Sequence, residues 1–152
     1  MIVDTNSFDT YIEHRKYLSD NIDRIIKDGL VKLKKFDGLN KIIIIGYTPS
    51  FNDGDPCEHW STPYYDDDLY EIADDNQEFL GLPENLEYDE YEDYLDENPI
   101  NIIKPENNDE IRFIIGHLED LLEEQNDTNF KVYIDLTGEE PTIEVHHYYC
   151  GY

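Results

Sequence analysis

The chain has 152 residues, which is the usual length of one domain and enough to enclose a hydrophobic core. It contains 11 Lys and Arg but 37 Asp and Glu, for a formal charge of -26 at pH 7. This charge argues against direct binding to nucleic acids and to anionic membranes, because both require a cationic surface. The 13 tyrosines and six phenylalanines argue against an acidic disordered tail. We therefore expect residues 1–152 to form a single domain.

The sequence indicates an intracellular protein. Residues 1–6 lack the basic region and apolar run of a secretory signal, and no apolar stretch reaches the length of a membrane span. Two cysteines, Cys57 and Cys150, are too few for a disulfide framework, so reduced thiols are expected.

The first predicted element is a long helix from Ser7 to Phe36. Its apolar residues recur three and four positions apart, as on one helical face. They are Phe8, Ile12, Leu18, Ile22, Ile25, Ile26 and Leu33. Asp37-Gly38 is a natural end for this helix because glycine readily adopts the left-handed conformation of a helix C-terminus.

A strand is predicted next, from Lys41 to Thr48. Its four consecutive isoleucines, residues 42–45, are β-branched and suit a strand that is buried on both faces. This pattern predicts the central strand of a sheet.

An acidic, partly helical insert is predicted at about residues 61–100. From Ile42 to Ile103 the chain has 18 Asp and Glu and no Lys or Arg. Asp66 to Asp68 are predicted to open a short helix, since acidic residues suit a helix N-terminus. A second short helix is predicted from Pro83, with Asn98-Pro99 as its end.

The remaining pattern predicts a helix followed by a hairpin. Asn107 or Asn108 should cap the helix, whose apolar face consists of Ile111, Ile114, Ile115, Leu118, Leu121 and Leu122. Residues 130–136 and 142–149 alternate like two strands around a turn. The predicted fold is therefore α+β, with two main helices on one face of a small, mostly antiparallel sheet.

The turn after the central strand is dense in Pro, Asn, Asp and Gly, which fix backbone angles or cap local turns. We predict a structural role for its residues Tyr47, Pro49, Phe51, Asn52, Asp53, Gly54, Asp55 and Pro56. From Tyr47 to Cys57 the stretch resembles a motif of small acidic proteins in tailed-phage genomes. The resemblance implies a phage origin, and hence the cytoplasm of an infected host cell, rather than a particular activity.

Two alternative functions centre on the same turn, residues 46–60. In the first, the turn binds a small molecule or metal, and zinc ligands would come from Cys57, His59, His146 or His147, and Cys150. The Cys-x-His spacing is tighter than the usual Cys-x2-Cys knuckle, and Asn52 to Asp55 lack the ligand spacing of an EF-hand. In the second, Cys57 is a nucleophile, but no feature selects the histidine that would activate it. We expect no cofactor, no metal and no enzymatic activity.

The leading hypothesis comes from tyrosines interleaved with acidic residues. The predicted partner-binding residues are Asp66, Asp67, Asp68, Tyr70, Glu87, Tyr88, Asp89, Glu90, Tyr91, Glu92, Asp93 and Tyr94. Duplex DNA also presents closely spaced negative charge, and tyrosine is enriched at protein interfaces. The pattern favours a protein that inhibits a host DNA-binding or defence protein by DNA charge mimicry. The alternative interpretation is a solvated acidic surface.

Overall fold

A computed structural model describes residues 6–47, 60–126 and 129–148. Its main elements are α1 (Asn6–Lys34), β1 (Lys41–Tyr47), β2 (Trp60–Tyr64), α2 (Gln77–Leu80), α3 (Tyr91–Glu97), α4 (Asn108–Asn126), β3 (Phe130–Asp135) and β4 (Thr142–His147). Short 3-10 helices occupy Asp67–Ile72, Asp74–Asn76, Tyr88–Glu90 and Pro105–Asn107. The α+β class expected from the sequence is confirmed, and every strand pairing is antiparallel.

The four strands form one sheet in the order β2-β1-β3-β4, so β1 is central as predicted. Its isoleucines alternate between two cores. Ile42 and Ile44 face a core built with α1 and α4, whereas Ile43 faces a second core on the opposite side of the sheet. All three are completely buried, which agrees with the two-sided burial that consecutive β-branched residues predict.

The larger core lies between the sheet and the two long helices. Helix α4 contributes four buried residues, each about one turn from the next, Ile111, Ile115, Leu118 and Leu122. Helix α1 differs from the expectation, because its buried residues, Ile26, Leu30 and Leu33, all lie in its second half. Phe8 and Ile12 of the predicted apolar face are 69% and 49% exposed, since α1 extends beyond the residues of α4 that could cover it.

The second core is covered by residues 65–100, which we call the acidic layer. Leu69, Ala73, Leu80 and Tyr91 are buried against the sheet together with Ile43. The acidic layer therefore packs on the face that the two long helices leave open, giving three layers in all. The predicted insert began at residue 61, but residues 61–64 belong to β2, a strand that the sequence patterns did not predict. The helix expected from Pro83 begins later, at Tyr88, and ends before Asn98 as predicted.

Asn101 joins the end of the acidic layer to its beginning and to β1. Its Oδ1 accepts hydrogen bonds from the backbone N–H groups of Asn40 (2.6 Å) and Lys41 (3.0 Å). Its Nδ2 donates to the carbonyls of Lys41 (2.8 Å) and Tyr65 (2.7 Å). One side chain thus satisfies four backbone groups at the point where the acidic layer enters and leaves the sheet.

Candidate functional site

The outer surface of the acidic layer carries a dense set of carboxylates. Residues 65–100 contain 15 Asp and Glu; 14 of these are exposed, and Asp68 is half-buried. The apolar residues between them, including Leu69 and Leu80, are buried against the sheet. The alternation of outward acids and inward apolar groups fixes the acids on a folded surface. In a disordered chain their spacing would fluctuate.

One hydrogen-bonded asparagine and two lysines hold the inner side of this layer. Asn76 is only 3% exposed, and its Oδ1 accepts hydrogen bonds from Tyr133 Oη (2.6 Å) and Lys131 Nζ (3.1 Å). Lys41 Nζ donates to the Phe79 carbonyl (2.6 Å) and lies over the Phe79 ring. The cations of β1 and β3 therefore contact amide and aromatic groups of the layer. Among the described residues, no carboxylate of the layer forms an ion pair.

The structure divides the predicted partner-binding residues into three groups. Exposed residues are Asp66, Asp67, Glu87, Tyr88, Asp89, Glu90, Glu92 and Asp93; half-buried residues are Asp68, Tyr70 and Tyr94. Tyr91 does not fit the predicted partner-binding role. It is 2% exposed, and its hydroxyl contacts Gln77 Nε2 (2.6 Å) and Asp74 Oδ1 (3.3 Å), so it is a core residue rather than a partner contact. Tyr88, which is 77% exposed, is the most accessible aromatic of the layer.

Acidic residues converge at two places. The carboxylates of Glu87, Asp89 and Glu90 lie within 4.8 Å of one another. Glu87 and Glu90 also form a reciprocal capping box that fixes the start of their helical turn. A cleft nearer the sheet is lined by Asp66, Asp67 and Asp96, which come from separate parts of the layer. Folding therefore brings together acids that are distant in the sequence.

Crowded negative charge and burial shift several pKa values. Burial raises the pKa of Asp68, and Glu71 and Asp66 add to the increase. The charge of Glu92, followed by desolvation, raises the pKa of the Tyr70 hydroxyl, and burial raises that of Tyr64, beside Glu71 and Asp68. Burial and neighbouring carboxylates therefore both disfavour ionisation of these groups.

The other predicted sites fall mainly outside the described residues. Tyr47 ends β1 and its ring meets Trp60 edge to face, with 5.8 Å between centroids. The remaining turn residues, Pro49 to Pro56, lie outside, as do Cys57, His59 and Cys150 of the alternative zinc site. His146 lies on β4, with its Nε2 3.0 Å from Glu144 Oε1. The structural-turn, zinc and Cys57-nucleophile hypotheses stay predictions.

Glu119 of α4 provides a test of how burial and charge affect stability. Burial raises the pKa of its carboxyl, which accepts a hydrogen bond from Ser61 Oγ, and this opposes the increase. A raised folded-state pKa means that stability is greatest at low pH and is lost as pH rises through that pKa. We expect Glu119→Gln to melt at a higher temperature than the wild type at pH 7. The difference should vanish below about pH 4, where the Glu119 carboxyl is protonated in both the folded and the unfolded protein.

Exposed Glu13 of α1 supplies the control, as Glu13→Gln removes the same charge by the same substitution without changing a buried group. Thermal melts of the three proteins between about pH 3 and 8 measure the effect. Equal melting curves for Glu119→Gln and Glu13→Gln would show that the net charge alone, and not burial of Glu119, sets the pH dependence.

In the three described ranges, no helix is both long and apolar enough to cross a membrane. Comparison of the chain with protein-family models, with curated proteins and with solved structures gave no match.

Proposed function

We propose that this chain is a phage-encoded acidic protein that binds and inhibits a host DNA-binding or defence protein by DNA charge mimicry. The observation that carries the proposal is the exposure of 14 carboxylates on one packed layer, where the described residues supply no ion-pair partner. The partner would present a basic surface that normally receives DNA phosphates. The site of action would be the cytoplasm of the infected cell.

A folded layer favours this function over a solvated tail for an energetic reason. Binding a disordered acidic segment would require its ordering, which costs free energy at the moment of association. Here the apolar contacts of Leu69, Leu80 and Tyr91 have already ordered the layer. Preorganised carboxylates can therefore use more of their attraction to a basic surface for affinity. Tyr88 adds an exposed aromatic ring of the kind enriched at interfaces.

The charge component is tested by removing three acids that line one cleft. The variant Asp66→Asn, Asp67→Asn, Asp96→Asn loses three negative charges while nearly keeping side-chain shape. If each lost contact contributes about 0.5 kcal/mol, affinity for the partner should fall roughly tenfold. The matched control, Glu13→Gln, Asp20→Asn, Glu139→Gln, has the same net charge but alters exposed residues outside the layer.

The partner is first captured from host lysate at low salt and eluted at high salt, because exposed charges separated by more than about 10 Å are screened at 0.1 M salt. Its affinity for each variant is then measured, with duplex DNA as competitor. Tyr88→Ala tests the aromatic contact, and Tyr17→Ala, which truncates an exposed tyrosine of α1 outside the layer, is its control. Unchanged affinity in the layer variants, or simultaneous binding of DNA and this protein, would reject mimicry and leave a solvated acidic surface.

A further inference from the structure

The two outer strands of the sheet differ in their capacity to pair with another strand. Among the described residues, β2 and β4 are the outer strands. The Leu136 N–H bonds to the Asn40 carbonyl, and this pair continues the β1–β3 register. Hydrogen-bonded pairs alternate along an antiparallel ladder, so residues 43, 45 and 47 of β1 direct their backbone groups towards β2. Pro63 of β2 therefore faces outward, where it offers no N–H donor. Strand β4 contains no proline, and all six of its residues are exposed.

The outward hydrogen-bonding groups of β4 follow from its pairing with β3. The N–H of Tyr148 bonds to the carbonyl of Asn129, and these residues continue the β3–β4 register. Hydrogen-bonded pairs alternate along an antiparallel ladder, so Thr142, Glu144 and His146 direct their backbone groups towards β3. The N–H and C=O groups of Ile143, Val145 and His147 consequently point away from the sheet.

The side chains of these three residues also share one face. They stand opposite Ile134, Val132 and Phe130 of β3, which belong to the core under the long helices. Ile143 and Val145 are nevertheless 36% and 39% exposed, because the helices do not cover β4. Strand β4 thus combines an outward row of backbone donors and acceptors with an incompletely covered apolar face, the features that template pairing with another strand.

We propose that β4 joins two copies of this chain into a dimer, pairing antiparallel with the second copy's β4 in a register centred on Val145. Val145 then faces the second copy's Val145, and Ile143 faces the second copy's His147. This register uses all three outward-pointing residues of each strand, forming six backbone hydrogen bonds. It extends the sheet from four strands to eight and packs the half-covered valines beside each other.

Charge favours this register over the one centred on Glu144. Side chains on opposed residues must lie on the same face of the joined sheet, so the pairing must be centred on a residue, for example Val145 or its neighbour Glu144. Centring on Glu144 places two glutamates directly opposite each other, and such like charges are destabilising. Centring on Val145 instead places Glu144 opposite the second copy's His146, the same pair of side chains that already associate within one strand.

The net charge of -26 on each copy opposes association and makes dimerisation dependent on salt. The screening length falls from about 10 Å at 0.1 M salt to about 3 Å at 1 M. The dimer dissociation constant should therefore decrease, by roughly tenfold or more, over that range. Binding to a basic partner through the acidic layer responds to salt in the opposite direction.

Cysteine cross-linking tests the register directly. In a Cys57→Ser, Cys150→Ser background, Val145→Cys places two thiols at opposed positions whose Cα atoms are about 5.5 Å apart, within the range of a disulfide. We expect a covalent dimer on mild oxidation in 1 M salt. Glu144→Cys is the matched control, because it cross-links only in the register centred on residue 144. Efficient cross-linking of Glu144→Cys without Val145→Cys would overturn the proposal.

Sedimentation at 0.1 M and 1 M NaCl supplies an independent readout on the chain without added cysteines. Val145→Pro removes an outward N–H but no bond to β3, so its thermal melt should stay close to that of the wild type while the dimer is lost. A chain that remains monomeric in 1 M NaCl at high protein concentration would overturn the proposal, as would an undiminished dimer of Val145→Pro.

Discussion

Replacing Gly38 with alanine is expected to lower the free energy of unfolding by about 3 kcal/mol. Gly38 has a φ of +85°, a conformation that costs other residues about 1 kcal/mol. A Cβ at this position would also lie 1.9 Å from the Ile102 carbonyl oxygen, which is backbone and cannot move aside as a flexible side chain could. The Ile102 N–H donates to the Gly38 carbonyl at 2.8 Å, so the clash would disturb that bond as well.

Gly81→Ala separates the two contributions. Gly81 has a similar φ of +70°, but a Cβ there would meet no atom within 4 Å. It should therefore lose only about 1 kcal/mol, the conformational part. For a chain of this size the corresponding decreases in melting temperature are about 2 to 4 °C for Gly81→Ala and about 6 to 12 °C for Gly38→Ala. Equal decreases in the two variants would show that the loop at Gly38 relaxes away from Ile102.

The second large effect is expected for Asn101→Ala. Alanine leaves two backbone N–H groups and two carbonyls without their side-chain partner. At about 1 kcal/mol for each hydrogen bond, with partial replacement by water, unfolding should become easier by roughly 3 kcal/mol. Asn101→Asp should not restore stability, since its second oxygen would face the carbonyls of Lys41 and Tyr65 instead of donating to them.

Urea denaturation measures the loss, with Asn85→Ala, an exposed change within the layer, as the control. Hydrogen exchange shows which residues lose stability. Amides of residues 65–100 should exchange faster in Asn101→Ala, because that side chain links both ends of the layer to β1. Wild-type stability in Asn101→Ala would mean that apolar contacts alone hold the layer in place.

The elements with strong periodicity were predictable from the sequence, whereas the contacts between them were not. Helix α4 and the β3–β4 hairpin follow from local spacing of apolar residues. Strand β2 was missed because it is short and contains Pro63, although Trp60, Thr62 and Tyr64 favour strands. The position of the acidic layer could have been inferred from residues 42–45, since a strand buried on both faces requires a covering layer on each side.

The candidate surface shows the same division. The density of acids is a property of the sequence, but the burial of Tyr91 depends on its contacts with Asp74 and Gln77, which are distant along the chain. Asn76 and Asn101 carry no local sequence signal, because their roles come from backbone and side-chain groups that only folding brings near. Tyrosines interleaved with acids therefore predict a charged surface better than they predict which rings remain accessible.

The hydrogen bond from Asn101 to Tyr65 spans 36 positions of the chain, so the two ends of the acidic layer lie at the same point of the sheet. The entropy of closing such a loop increases only slowly with its length. Residues can therefore be added to or removed from its exposed turns at little cost to the helices and sheet on the other side. The fold thereby separates the helices and sheet, whose lengths are set by their packing, from a layer whose exposed turns tolerate changes in length.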